Sequence, residues 1–150
     1  MALYKTHAKF NILFALPVLI ILIYIIFHPK ISFLIIFTSS FIYSTLFMSP
    51  DVDLTNKIKL FSLKGMLTIP FRIYSKIFKH RGLSHSLIFG TITRIVFLFF
   101  LFLIILFLIN QSIPSHDSFI TFFKIHKKYT LYCFSGIFLA DTCHLILDFK

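Results

Sequence analysis

Glutamate and tryptophan are absent from this sequence, and only four glycines and five prolines punctuate its 150 residues. So little glycine excludes a turn-rich β-sandwich or barrel, whose hairpins need permissive backbone at every reversal. Charge is scarce too: 13% of the residues carry one, about half the ~25% of ordinary soluble domains. What charge there is leans one way, with five aspartates against fifteen Lys+Arg and a formal net charge of +10. Cys133 and Cys143 are the only cysteines. They lie in one apolar run, where no disulfide framework is visible and packing thiols are expected.

Hydrocarbon fills the space left. The chain is 58% hydrophobic with 22 Phe and a mean hydropathy of +0.93, beyond the roughly 45–50% apolar content of soluble domains. Four apolar stretches stand out: Ile12 to Phe27, Ile31 to Met48, Leu87 to Ile109 and Tyr129 to Leu147. A spanning helix needs about 17–25 residues. The third stretch meets that easily and the second just does. The first is short unless Lys9 and Asn11 snorkel at its edge. The fourth is uncharged only to Ala140, so its last turns have to be wet or buried in protein. Lys5 and Lys9 before the first stretch resemble the start of a signal peptide, but His28-Pro29-Lys30 follows instead of a small-x-small cleavage site, so the segment is expected to be retained.

The expected fold class is therefore all-α: a polytopic membrane protein forming one helical domain over 1–150. Its spans fall at about 11–27, 31–48, 87–109 and 129–147. A basic excess can signal nucleic acid or an anionic membrane surface. Beside these apolar runs it indicates the lipid bilayer, and no nucleic-acid partner. The connection between the second and third spans carries Lys57, Lys59, Lys64, Arg72, Lys76, Lys79 and Arg81. By the positive-inside rule this loop and both termini are expected in the cytoplasm. Lys124, Lys127 and Lys128 then face outward, against that rule. Within the loop, Phe71, Tyr74 and Phe78 share one helical face and Arg72, Lys76 and Lys79 the other. That pattern suits a basic interfacial helix, with the loop 57–81 on anionic lipid. A helix packed on the protein's own spans would show it equally.

The polar chemistry collects in a few places. Asp51 and Asp53 follow the second span in Ser-Pro-Asp-Val-Asp, where alternate residues of an extended turn point the same way. His80 and His85 flank the turn His-Arg-Gly-Leu-Ser-His-Ser before the third span, with Ser84 as an expected N-cap. Asp141, His144 and Asp148 stand at i, i+3 and i+7, one stripe of the fourth helix. His7 precedes the first span. On the expected topology all of these fall at cytoplasmic helix ends, although chance would scatter them over both faces. Arg81, beside the start of the third helix, suits an oxyanion. Arg94, inside the third span, would pair with a carboxylate or contact substrate. His28, His116 and His126 read as interfacial anchors.

Taken in order, Thr6-His7, Ser-Pro-Asp-Val-Asp (49–53), His-Arg-Gly-Leu-Ser-His-Ser (80–86), Gly90, Arg94, Gly136 and Ala-Asp-Thr-Cys-His-Leu-Ile-Leu-Asp (140–148) resemble a family of bacterial membrane proteins described as metal-binding or metal-dependent hydrolases, the YdjM-like inner-membrane proteins among them. Each motif is weak alone and the ordered set is specific. The resemblance implies a metal held by His7, Asp51, Asp53, His80, His85, His144 and Asp148. So many ligands exceed the four of a structural zinc. They suggest one ion with a spare carboxylate, or two ions, with zinc the first choice and manganese or iron the alternatives. The function expected is hydrolysis of a lipid or phosphoester by a metal-activated water at the cytoplasmic face of a bacterial inner membrane. Asp51, Asp141 and Arg81 would be catalytic, and Arg81, Ser84 and Arg94 would bind substrate. A non-catalytic structural or sensory metal site is the competing function, with metal or ion transport behind it.

Overall fold

Prolines divide the chain before any packing is considered. Pro17 falls where a π turn passes into the next helical segment and lacks the N–H that a regular helix would use there, and Pro29 lies between two helices. The computed structural model describes residues 4–48, 87–111 and 115–148, side chains at 4, 5, 87–89, 110 and 148 excepted. It also describes Gly65, Thr68, Ile69, Phe71, Ile73 and Tyr74. Helix α1 (Tyr4–Phe10) runs through a π-helical turn (Asn11–Ala15) into α2 (Leu16–Phe27). Helix α3 (Ile31–Tyr43) ends in a second π turn (Ser44–Met48), and α4 (Leu87–Asn110), α5 (His116–Ile125) and α6 (Lys127–Asp148) follow. No strand occurs among the described residues.

Among the described residues, four helices are long and apolar enough to cross a membrane: Thr6–Phe27, Ile31–Met48, Gly90–Ile109 and Lys127–Leu147. At 18 to 22 residues and about 1.5 Å per residue, each matches a hydrocarbon core of about 30 Å. Their outer surfaces are apolar as well. Phe27 is 67% exposed, Ile31 73% and Leu108 71%, an arrangement that water penalises and lipid does not.

The first span runs further back than hydropathy suggests, through Lys9 and Asn11 to Thr6. Asn11 does not snorkel outward. It is fully buried, and its Nδ2 donates to the Ala140 carbonyl at 3.1 Å, so another helix satisfies the amide.

The turn between α2 and α3 is short because His28 takes a left-handed conformation, φ 41°, and its N–H caps the Tyr24 carbonyl. A left-handed cap followed by proline is a common helix stop. Across the bundle α6 packs along α3, where Phe33 stacks on Tyr132 with ring centroids 5.2 Å apart. Midway, a Cβ added to Gly136 would sit 2.7 Å from the Phe37 carbonyl and would collide with Ser40. Glycine is therefore required by proximity, the usual device where apolar helices have no hydrophobic effect to press them together. Phe37, Phe41, Leu16 and Ala140 fill the core on one side of this contact, and Met48, Phe71 and Ile137 fill it on the other.

The aromatic face of the central connection turns inward. Phe71 and Tyr74 are buried, and the Tyr74 and Thr93 hydroxyls lie 2.8 Å apart. Of the two expectations for this face, packing on the protein's own helices is the one observed at 71 and 74. Phe78, Arg72, Lys76 and Lys79 lie outside the described residues. Helix α5 was not anticipated. It is capped by Ser115, whose Oγ accepts from the Ser118 N–H at 3.3 Å, with Asp117 in the first turn and Lys124 in the last, each on the side the helix dipole favours.

Gly136→Ala is expected to destabilise the α3–α6 contact by about 1–3 kcal/mol, the usual cost of overpacking. It should lower the thermal midpoint followed by circular dichroism in detergent, whereas Phe138→Leu on the exposed face should not.

Candidate metal centre

Helix α1 enters the bundle at the end where α6 leaves it, so the two run antiparallel. Ala140 accepts from Asn11. One helical turn further on each helix, at the i−4 position of one and the i+4 position of the other, stand His7 and His144. Their rings meet with centroids 4.5 Å apart and a 40° tilt, and both residues are buried, 1% and 4% exposed. Two imidazoles 137 positions apart in sequence thus share one buried spot. One turn away the Asn11 Oδ1 is buried with no hydrogen-bond partner among the described residues, and in the second π turn so is the Thr45 Oγ1. Buried acceptors of this kind are rare unless something unseen satisfies them.

One turn before His144, Asp141 is held differently. Its Oδ2 accepts from the Thr91 hydroxyl at 2.7 Å, and its Oδ1 from the Ser44 hydroxyl at 3.2 Å. Arg94 Nη1 lies 3.2 Å from both oxygens. The guanidinium also donates from Nε to the Gly90 carbonyl at 3.0 Å and from Nη1 to the Met48 carbonyl at 2.5 Å. Each side chain of the pair is 3% exposed. In so dry a place, neither charge is tolerable without the other. The pair joins α4, α6 and the π turn at 44–48. Met48 is the last residue before Ser-Pro-Asp-Val-Asp, so Arg94 also anchors the root of that motif.

The π turns suit these tasks. A π turn inserts one residue into a helix and re-aims the side chains on either side of it, and such turns are frequent at functional sites. Here the two turns supply Asn11 and Ser44, the side chains that reach across to α6.

Of the residues singled out in the sequence, the structure joins His7 with His144, and Asp141 with Arg94. Asp148 closes α6, four residues beyond His144. Asp51, Asp53, His80, Arg81, Ser84 and His85 lie outside the described residues. Among the described residues, no three His, Cys, Asp or Glu come together. Two imidazoles and a spare amide oxygen nonetheless fit a divalent first-row ion in type, as part of a ligand set completed from elsewhere. Asn11, Ser44 and Thr91 were not picked out from sequence as part of this end of the bundle. Their only signal was polarity within or beside apolar runs.

The class defined here is an all-helical protein with four membrane-length helices and a buried polar cluster at one end. The family model of the uncharacterized metal-binding proteins (DUF2227) matches residues 2–150, and the chain belongs to that family. It matches no curated protein and no solved structure.

Asp141→Ala leaves Arg94 buried without its counter-ion and is expected to cost about 3–5 kcal/mol, read as a large drop in thermal midpoint. Replacing both residues, Asp141→Leu with Arg94→Leu, should recover much of that loss, because no lone charge remains. A double variant as unstable as Asp141→Ala would contradict the ion-pair account.

Proposed function

We propose that this chain is a membrane-embedded, metal-dependent hydrolase acting on a lipid or phosphoester at the cytoplasmic face of a bacterial inner membrane. The contact of His7 with His144 carries the proposal. Neutral imidazole is a common metal ligand, and burying two together at the meeting of the first and last helices suits a ligand pair better than two surface anchors. Asp148, Asp51, Asp53, His80 and His85 complete the proposed set, with zinc as the preferred ion and manganese or iron as alternatives, one ion or two.

A bound divalent ion supplies Lewis acidity and lowers the pKa of water. The residues of the chain supply the rest. Asp51 serves as general base, while Arg81 and Ser84, just ahead of α4 in sequence, hold the anionic group of the substrate. Asp141 was an expected catalytic residue, but its oxygens already accept from Ser44, Thr91 and Arg94. With its oxygens so engaged, its role here is positioning. Arg94, expected to bind substrate, likewise positions the motif after Met48. The resemblance to YdjM-like hydrolases and the surplus of ligands support catalysis.

A non-catalytic structural or sensory metal site is the second reading, and the buried Arg94–Asp141 clamp favours it, since that clamp ties helices together without exposing any group to substrate. For either reading, protein purified in detergent is expected to carry a divalent metal by elemental analysis. His7→Ala and His144→Ala should lose it, while His28→Ala, at the opposite end, should keep it. Absence of metal from the wild type would sink both readings. Metal without turnover in a broad phosphoester and lipid screen would leave the non-catalytic one.

Topology is tested separately in a Cys133→Ser, Cys143→Ser background. Ser62→Cys should label from the cytoplasmic side and Ser118→Cys from the other. Labelling of both from one side would refute the four-span orientation.

A further inference from the structure

Away from the metal end, α5 folds back against the second half of α4. Phe119 meets Phe99 edge-on, with ring centroids 5.5 Å apart. Between the two helices lies a groove of about 700 Å³, walled by side chains such as Leu103, Ile120 and Phe123 and bordered by Lys124 and Lys127. A second hollow of about 400 Å³ shares Phe99, Phe119 and Phe123 with it and is almost wholly apolar. The larger volume lies within the roughly 300–1,000 Å³ of ordinary ligand pockets.

Helix α5 has no buried residue: Phe122 is 56% exposed and Ile125 70%. An amphipathic helix with this much free hydrocarbon is at home in an interface, its one lysine, Lys124, reaching toward headgroups. Lys124 lies in the last turn of α5 and Lys127 opens α6, and both border the groove. Together with Lys128 they outnumber Asp117, the one carboxylate of the segment. An apolar slot with cations at its border matches an anionic amphiphile by charge and by polarity. A second copy of this chain is a poor occupant, because its own net charge is +10 and would repel the same lysines.

We infer that the α4–α5 groove is a binding site for an anionic phospholipid, with an acyl chain along Phe99, Leu103 and Phe119 and the phosphate between Lys124 and Lys127. The lipid secures α5, which has little else to hold it, against the bundle. This site is distinct from the metal centre and does not depend on it.

The test is native mass spectrometry of the full chain released from detergent with phosphatidylglycerol or phosphatidylcholine of identical acyl chains. A preference for phosphatidylglycerol of roughly tenfold is expected from two lysines. Lys124→Gln with Lys127→Gln should abolish the preference, and Lys128→Gln, which does not border the groove, should retain it. Ile120→Trp, which fills the slot, should reduce retention of both lipids while circular dichroism shows the helices intact. Bound metal should be the same in all of these variants, separating this site from the one proposed above. Equal retention of the two lipids, an undiminished preference in the Lys124/Lys127 variant, or a wild-type dimer cross-linked through groove positions would overturn the inference.

Discussion

An arginine inside a bundle of hydrocarbon helices has to be neutralised where it stands, and that requirement organises the polar end of this protein. Arg94 and Asp141 are 47 positions apart and come from different helices, yet neither can be dry without the other. Meeting that condition fixes the rotation of α4 against α6. Thr91 and Ser44 add hydrogen bonds to the carboxylate, and the guanidinium donates as well to the carbonyls of Gly90 and Met48. A hydrophobic contact alone would tolerate sliding, because one lipid-facing side chain packs much like another. A charge pair with four further partners does not.

From that fixed point the rest of the cluster follows by helical repeat. His144 is one turn past Asp141 on α6. Ala140, just before Asp141, receives the amide of Asn11, and His7 is one turn before Asn11 on the first helix. The ion pair, the amide and the imidazole pair form successive rungs down one side of α6. Gly136 lets α3 approach closely enough for Ser44 to reach the same rungs. Burial at this end therefore does two things: the residues that hold the helices together also set the separation of His7 and His144.

The two ends of the molecule use the membrane differently. At the His7–His144 end, polar groups are buried and paired. At the other end, α5 leaves its aromatic residues uncovered, with Lys124 and the Lys127 of α6 at their edge. A short helix of this composition has little hold on the bundle, and a bound amphiphile supplies what packing does not.

Sequence by itself determined that the chain is helical and that four stretches suit a bilayer. These properties follow from hydropathy and from residue spacing, which are local. It also showed His7 and His144 as candidates, through their company and through the ordered motifs. It did not reveal α5, whose apolar residues are too few to look like a span. Nor did it reveal the π turns at 11–15 and 44–48, because one extra residue in a helical turn leaves no mark on periodicity over so short a stretch. Tertiary structure alone decided that Asp141 belongs to Arg94, although the carboxylate shares a stripe with His144. It decided, too, that Asn11 turns inward, and that Phe71 and Tyr74 face protein. The reason is the same each time: a buried polar or aromatic group is placed by the partner that satisfies it, and that partner lies on another helix, far away in the sequence.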